Sequence, residues 1–192
     1  MGETTRQLIL IRHGPTDRPG RLCGRTDVGL ALDVSFPDAS GLGAVDALWV
    51  SPAKRAVQTA AGLWPGVSMQ QDARLWEQDF GGWEDMLYSD LPDVGVLSRG
   101  ELADLTGPGG ESFRDVVART RPAFNEVAAH AGTVAIVAHA GVIRSALALA
   151  LDAEEAALAF EIDHFSTTRL RCLDDGGFSV MSVNETLRPM AG

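Results

Sequence analysis

The chain has only two cysteines, Cys23 and Cys172, in 192 residues. With no stretch resembling a secretory leader, it is read as carrying two reduced thiols, not a disulfide framework. The N-terminus lacks the basic, apolar and small-residue regions of a signal peptide. Apolar runs such as Leu8 to Ile11 and Thr133 to Ala138 are far too short to cross a bilayer. The expectation is a cytoplasmic protein with no membrane partner. An excess of basic charge is missing too: 16 Lys and Arg stand against 26 Asp and Glu, for a formal net charge of −10. That balance argues against nucleic acid or an anionic membrane as a partner, because both attract broadly basic surfaces. No repeat, low-complexity tract or Pro/Gly/Ser-rich linker divides the chain, so residues 1–192 are read as one domain.

What is present is an ordinary globular balance, 45% hydrophobic and 22% charged, enough for a substantial core. Leu8 to Ile11 reads as a strand buried on both faces that stops at His13-Gly14. Ala47 to Val50 is a second such run, ending at Ser51-Pro52 before a helix over Lys54 to Leu63. Thr133 to Ala138 is a third, broken at His139-Ala140-Gly141 ahead of a helix over roughly Val142 to Leu151. Glu111 to Ala129 has a helical pattern, with acids near its start and basic residues further on. Two final strands, near Thr168 to Leu173 and Phe178 to Val183, flank an Asp-Asp-Gly-Gly turn. Strands alternating with helices predict an α/β three-layer sandwich with a mostly parallel central sheet. In such sheets ligands sit beyond the carboxyl ends of the strands. Arg12-His13-Gly14, Ser51 to Arg55 and His139 to Gly141 are therefore expected at one edge.

Two histidines and two arginines at strand ends suit phosphoryl transfer through a phosphohistidine, where positioning and charge stabilisation do most of the work. A neutral His13 would attack phosphorus in line, while Arg12 and Arg55 fork around the nonbridging oxygens. His139 would donate a hydrogen bond to the developing charge. A leaving alkoxide needs a proton. Glu77 is the chosen donor, with Asp79 and Glu84 as competitors that spacing alone does not separate. Arg12, Arg18, Arg21 and Arg25 face the single acid Asp17 in one stretch, a local positive site for an anionic substrate. Thr16 and Gly24, in the same stretch, complete the expected phosphate-binding set of Arg12, Arg55 and His139. No cofactor and no metal are expected. His13, His139 and His164 are not at short ligand spacings and lack the companions of familiar zinc patterns, so His164 is read as structural or on the pocket rim.

Together these segments resemble the histidine phosphatase superfamily, also called phosphoglycerate mutase-like, from about Leu8 to Leu187. Leu8-Ile9-Leu10-Ile11-Arg12-His13-Gly14 is similar to the family's nucleophile strand and turn. Ser51-Pro52 through Arg55 to Gln58-Thr59-Ala60 is similar to its second phosphate loop, and Leu75 to Glu84 to its acid segment. Gly109-Gly110-Glu111-Ser112, with Arg119 downstream, and Val137 to Arg144 resemble two further family segments. Leu22-Cys23-Gly24-Arg25-Thr26-Asp27 resembles the loop of short bacterial members of the α-ribazole phosphatase type. The resemblance implies a phosphoglycerate mutase-like fold and a metal-independent phosphatase acting on a small phosphorylated metabolite. In it His13 is the nucleophile, Arg12, Arg55 and His139 hold phosphate, and Glu77 is the proton donor. A mutase-type phosphotransferase and a non-catalytic phospho-ligand-binding protein are the alternatives.

The departures from the family pattern are specific. Pro15 stands where an acidic residue is frequent, and Asp85 follows Trp83-Glu84 where glycine is usual. Ala31 to Asp46, with Pro37, Gly41 and Gly43, is too broken for the long helix usual there. It is expected to be loop-like and to leave one sheet face thinly covered, a possible homodimer contact. Asp85 to Pro108 is the one candidate for a short lid over the pocket; its scarcity favours hydrolysis over mutase chemistry.

Overall fold

A computed structural model describes residues 6–188. Six strands form one mixed sheet in the order β3-β2-β4-β1-β5-β6. These are β1 (Gln7–Arg12), β2 (Ala47–Val50), β3 (Gln70–Gln71), β4 (Thr133–Ala138), β5 (Ser166–Cys172) and β6 (Phe178–Thr186). The first four in that order run parallel. β5 joins β1 antiparallel and turns back into β6 as a hairpin.

Alternation along the strands divides the core in two. Leu8 and Leu10 of β1, Trp49 of β2, and Val134, Ile136 and Ala138 of β4 point to one face. There they meet α3 (Phe113–Ala128) and α4 (Ala140–Leu151), flanked by α2 (Arg99–Asp104) and α5 (Glu154–Ala157). Ile9, Ile11, Leu48, Val50, Ala135 and Val137 point to the other face, under α1 (Lys54–Leu63). The architecture is the expected three-layer α/β sandwich. α3 begins later than the acidic run implied, since Ser112 is its cap: the hydroxyl accepts from the Asp115 amide while the Asp115 carboxylate takes the Ser112 amide. α4 begins earlier, at Ala140, directly after His139.

On the α1 face the strand residues Ile9, Ile11, Leu48, Val50, Ala135 and Val137 are all buried, so this face is not left thinly covered. Between β1 and β2 the segment 31–46 forms a single 3-10 turn, Ser40–Leu42, and otherwise runs as loop. It shields the sheet through Leu42 and the partly buried Phe36, Ala39 and Val45. The Phe36 ring lies so close to Gly62 that a Cβ there would meet it at 2.1 Å.

Burial of Ile136 at the sheet centre, with no exposed surface, makes it a sensitive probe of this arrangement. Ile136→Ala is predicted to lower the free energy of unfolding by about 3 kcal/mol, read from urea denaturation. Val180→Ala, on edge strand β6 and 38% exposed, should cost under about 1 kcal/mol.

Candidate active site

The parallel register assembles the site. Arg12 of β1 pairs with Ala138 of β4, and Val50 of β2 with Val137. One residue further on, the His13 amide donates to the Ala138 carbonyl and the Ser51 amide to the Val137 carbonyl, both at 3.0 Å. His13, Ser51 and His139 thus emerge side by side at one sheet edge, with the two imidazole centroids 5.1 Å apart. The Gly14 amide donates to Thr59 Oγ1 at 3.0 Å, which ties the turn after β1 to α1.

His13 is buried, and its Nδ1 lies 2.7 Å from the Gly14 carbonyl oxygen. A carbonyl only accepts, so Nδ1 carries the proton and Nε2 keeps its lone pair. Burial, and then the nearby charge of Arg55, hold the His13 pKa well below the usual imidazole value. The same two causes act in the same direction on His139. Both rings are therefore neutral near pH 7, as a nitrogen nucleophile requires. His164 stands on the cavity wall, 5.4 Å from His13 between centroids. Burial and Arg12 push its pKa down to about 4. One ring nitrogen of each buried histidine is engaged, Nδ1 of His13 by Gly14 and Nε2 of His139 by Ser51.

Arg55 is almost wholly buried, 1% exposed. Its terminal nitrogens donate to the carbonyls of Thr26 at 3.0 Å, Gly24 at 2.7 Å and Cys23 at 3.2 Å. Arg12 donates to the Ile162 carbonyl at 2.6 Å. Among the described residues, Nε of Arg12, Nε of Arg55 and Nδ1 of His139 are buried and have no hydrogen-bond partner. Unpartnered donors are costly in a protein interior. The two guanidinium Nε–H groups beside His13 are such donors, and they mark a place for an anion.

Glu77, 9% exposed, completes the group. Its Oε2 accepts from the Gly141 amide at 3.2 Å and its Oε1 from the Gln78 amide at 3.0 Å. A Cβ on Gly141 would lie 2.3 Å from Oε1, so a side chain there would displace the carboxylate from this position. The competing acids are engaged elsewhere. Asp79 accepts from the Gly81 amide. Glu84 accepts from the amides of Gly24, Arg25, Thr26 and Phe80 and from the Thr26 hydroxyl. Burial opposes the Glu84 charge, but these hydrogen bonds outweigh it and hold the carboxyl below its usual range.

The cavity, about 550 Å³, is lined by Arg12, His13, Thr16, Arg55, Glu77 and Arg144 among others. Thr16 lies on the cavity wall. His139 stands just behind the wall, fully buried. Gly24 is not among the lining residues. Its amide is committed to Glu84 at 3.2 Å, and a Cβ there would meet the Gln78 carbonyl oxygen at 1.9 Å. Its carbonyl accepts from Arg55 at 2.7 Å. Asp85 takes a positive φ of 60°, the conformation that glycine adopts without cost. Its carboxylate pairs with Arg18 at 3.2 Å and Arg21 at 3.7 Å.

Sequence reasoning missed the supports. Ser51 Oγ lies 2.8 Å from His139 Nε2. Arg119, fixed by Glu111, donates to the carbonyls of Arg74, Trp76 and Glu77 and so holds the backbone that carries the acid. Glu111 and Arg119 were legible as a motif, but their target lies more than thirty residues away in the chain.

A family model described as "Histidine phosphatase superfamily (branch 1)" matches residues 8–186. The "Bifunctional protein Rv2228c" of Mycobacterium tuberculosis is 34% identical over 199 residues, covering 95% of this chain and 55% of that protein. The human "6-phosphofructo-2-kinase/fructose-2,6-bisphosphatase 1" is 31% identical over 163 residues, covering 78% of this chain and 33% of that protein. The chain thus spans about half the length, or less, of these relatives. Among solved structures, the mycobacterial glucosyl-3-phosphoglycerate phosphatase Rv2419c superposes with a TM-score of 0.82 at 27% identity, covering 94% of this chain and 99% of that one.

The buried histidines make stability depend on pH. Unfolded imidazoles take up protons below their ordinary value of 6.5, whereas His13, His139 and His164 in the folded chain do not. Stability is thus fully present above pH 6.5 and falls as pH drops below it, with His164 following to about pH 4. Urea midpoints should fall from pH 7 to 6 to 5; a flat profile would contradict the neutral site. Glu84→Gln, which removes the carboxylate under the loop that cages Arg55, is predicted to cost about 2 kcal/mol of stability by urea denaturation.

Proposed function

The chain belongs to the histidine phosphatase superfamily, and from that premise we propose that it hydrolyses phosphomonoesters through a phosphohistidine on His13. The observation that carries this reading is the neutral His13 with a free Nε2 lone pair, bordered by the unpartnered donors of Arg12 and Arg55 and the unpartnered Nδ1 of His139. A phosphate dianion against His13 gives those donors the acceptors they lack.

In the first step Nε2 attacks phosphorus in line. The P–N bond forms as the P–O bond to the leaving group breaks, and Glu77, protonated, gives its proton to the departing alkoxide. Arg12, Arg55, His139 and Thr16 bind the phosphoryl oxygens, whose charge the guanidinium groups offset. In the second step Glu77, now a carboxylate, takes a proton from water as its oxygen displaces Nε2, releasing inorganic phosphate. The two guanidinium groups supply the positive charge that a metal ion provides elsewhere, so the reaction is read as metal-independent. Hydrolysis is favoured over transfer to a second substrate because, of the segment 85–108, Tyr88 alone reaches the cavity wall among the described residues. Water then meets the phosphohistidine without a lid to displace.

The substrate class is a small phosphorylated metabolite, in keeping with a cavity of about 550 Å³ and with the phosphorylated compounds named for the mycobacterial and human relatives. We place the reaction in the cytoplasm, consistent with Cys23 and Cys172 as free thiols.

Hydrolysis of p-nitrophenyl phosphate should persist in excess chelator, and His13→Ala should lower kcat at least about 1000-fold. Absence of activity from pH 5 to 7, or full activity in the variant, would reject the reading. Glu77→Gln should cost about 100-fold or more on an alkyl phosphate, whose leaving group needs the proton, and much less on p-nitrophenyl phosphate. Equal losses on both substrates would remove Glu77 from the proton-donor role.

A further inference from the structure

Ser51 occupies the turn after β2, has no exposed surface, and is given no role by the chemistry above. Its hydroxyl lies 2.8 Å from His139 Nε2 and accepts, at 3.4 Å, from the Ala53 amide at the start of α1. These two are the hydroxyl's contacts among the described residues. His139 is fully buried, and its other ring nitrogen, Nδ1, has no partner.

Two proton placements fit these heavy atoms. In one, the ring donates from Nε2 to Ser51, and Nδ1 keeps a lone pair. The serine oxygen then receives both the ring and the Ala53 amide, while its own proton is left buried without an acceptor. An anion beside His13 would moreover face a lone pair on its neighbouring ring. In the other, Ser51 accepts from Ala53 and donates its proton to Nε2, so the single ring proton sits on Nδ1. Every group is then satisfied except Nδ1–H, whose natural acceptor is the bound phosphoryl oxygen. A doubly protonated ring would need acceptors on both sides, in a buried site already beside Arg55.

We propose that Ser51 is a positioning residue that holds His139 as the neutral Nδ1–H tautomer, so that its one proton is presented to the phosphoryl group. This rests on the phosphatase reading for its consequence in catalysis, while the tautomer itself is independent of activity. Ser51 touches no substrate atom. It acts through His139, as partners that orient metal-bound histidines act through their ligands, and here it selects which nitrogen carries the proton.

The experiment is long-range ¹H–¹⁵N correlation on the whole ¹⁵N-histidine-labelled chain at pH 7, with and without inorganic phosphate. The wild-type His139 should show a protonated Nδ1 and an unprotonated Nε2, with the Nδ1 signal moving when phosphate is added. Ser51→Ala should mix or reverse the tautomers and lower kcat for p-nitrophenyl phosphate by about 10- to 100-fold, with KM changed less than about threefold. Ser51→Thr, which restores the hydroxyl, should recover the wild-type tautomer and most of the rate. A wild-type spectrum with the proton on Nε2, or Ser51→Ala with unchanged tautomer and kcat, overturns the proposal. Wild-type protein without hydrolysis would instead reject the phosphatase reading, and the spectra would still decide the tautomer.

Discussion

A permanently charged guanidinium, that of Arg55, is held nearly out of water within hydrogen-bond reach of three backbone carbonyls, and the rest of the site depends on it. Carbonyl dipoles accept its donors without cancelling its charge, as a carboxylate partner would. The charge therefore reaches the neighbouring imidazoles, and burial first, then this charge, keeps His13 and His139 neutral. The carbonyls belong to residues 23–26, a loop with no regular structure of its own. That loop is fixed from below by the Glu84 carboxylate, which gathers the successive amides of Gly24, Arg25 and Thr26. Glu84 thus supports the site from outside the cavity wall.

A second line of support runs through the opposite sheet face. Arg119 of α3, held by the Glu111 carboxylate, donates to the carbonyls of residues 74, 76 and 77 and sets where Glu77 can stand. Gly141, at the start of α4, admits the Glu77 carboxylate and donates to it. The acid is therefore clamped between two helices that share the larger core with β1 and β4, so its placement is coupled to the packing of the whole α3–α4 layer. Asp85 plays the matching part at the cavity mouth. By accepting a positive φ where glycine is more comfortable, it gains a carboxylate that holds Arg18 and Arg21.

Much of this was legible in the chain because it depends on local rules. Buried β runs that end in His-Gly, Ser-Pro and His-Ala-Gly place their next residues at one edge of a parallel sheet, and His13, His139 and Arg55 followed from that. The broken segment 31–46 was readable as loop because Pro37, Gly41 and Gly43 deny it a helix. The contact between the Gly24 amide and Glu84, sixty residues on, was not legible, since nothing nearby in sequence reveals it. Ser51, Glu111 and Arg119 were visible as parts of motifs but not as supports. Their partners are distant in sequence: the register of β2 and β4 brings Ser51 to His139, and the packing of α3 against residues 74–79 brings Arg119 and Glu111 to theirs. Whether Glu77, Asp79 or Glu84 faced the cavity was likewise undecidable from spacing, and was separated only by which amides each carboxylate meets.

The account stands on two successive in-line displacements at phosphorus, the first by His13 and the second by water. Its most direct measurement is the stereochemical course of hydrolysis of a phosphomonoester made chiral at phosphorus with oxygen isotopes and sulfur, read by ³¹P NMR of the thiophosphate product. Two inversions give net retention of configuration, which is the predicted result. Net inversion would show that water attacks the substrate directly, and would remove the phosphohistidine from the mechanism.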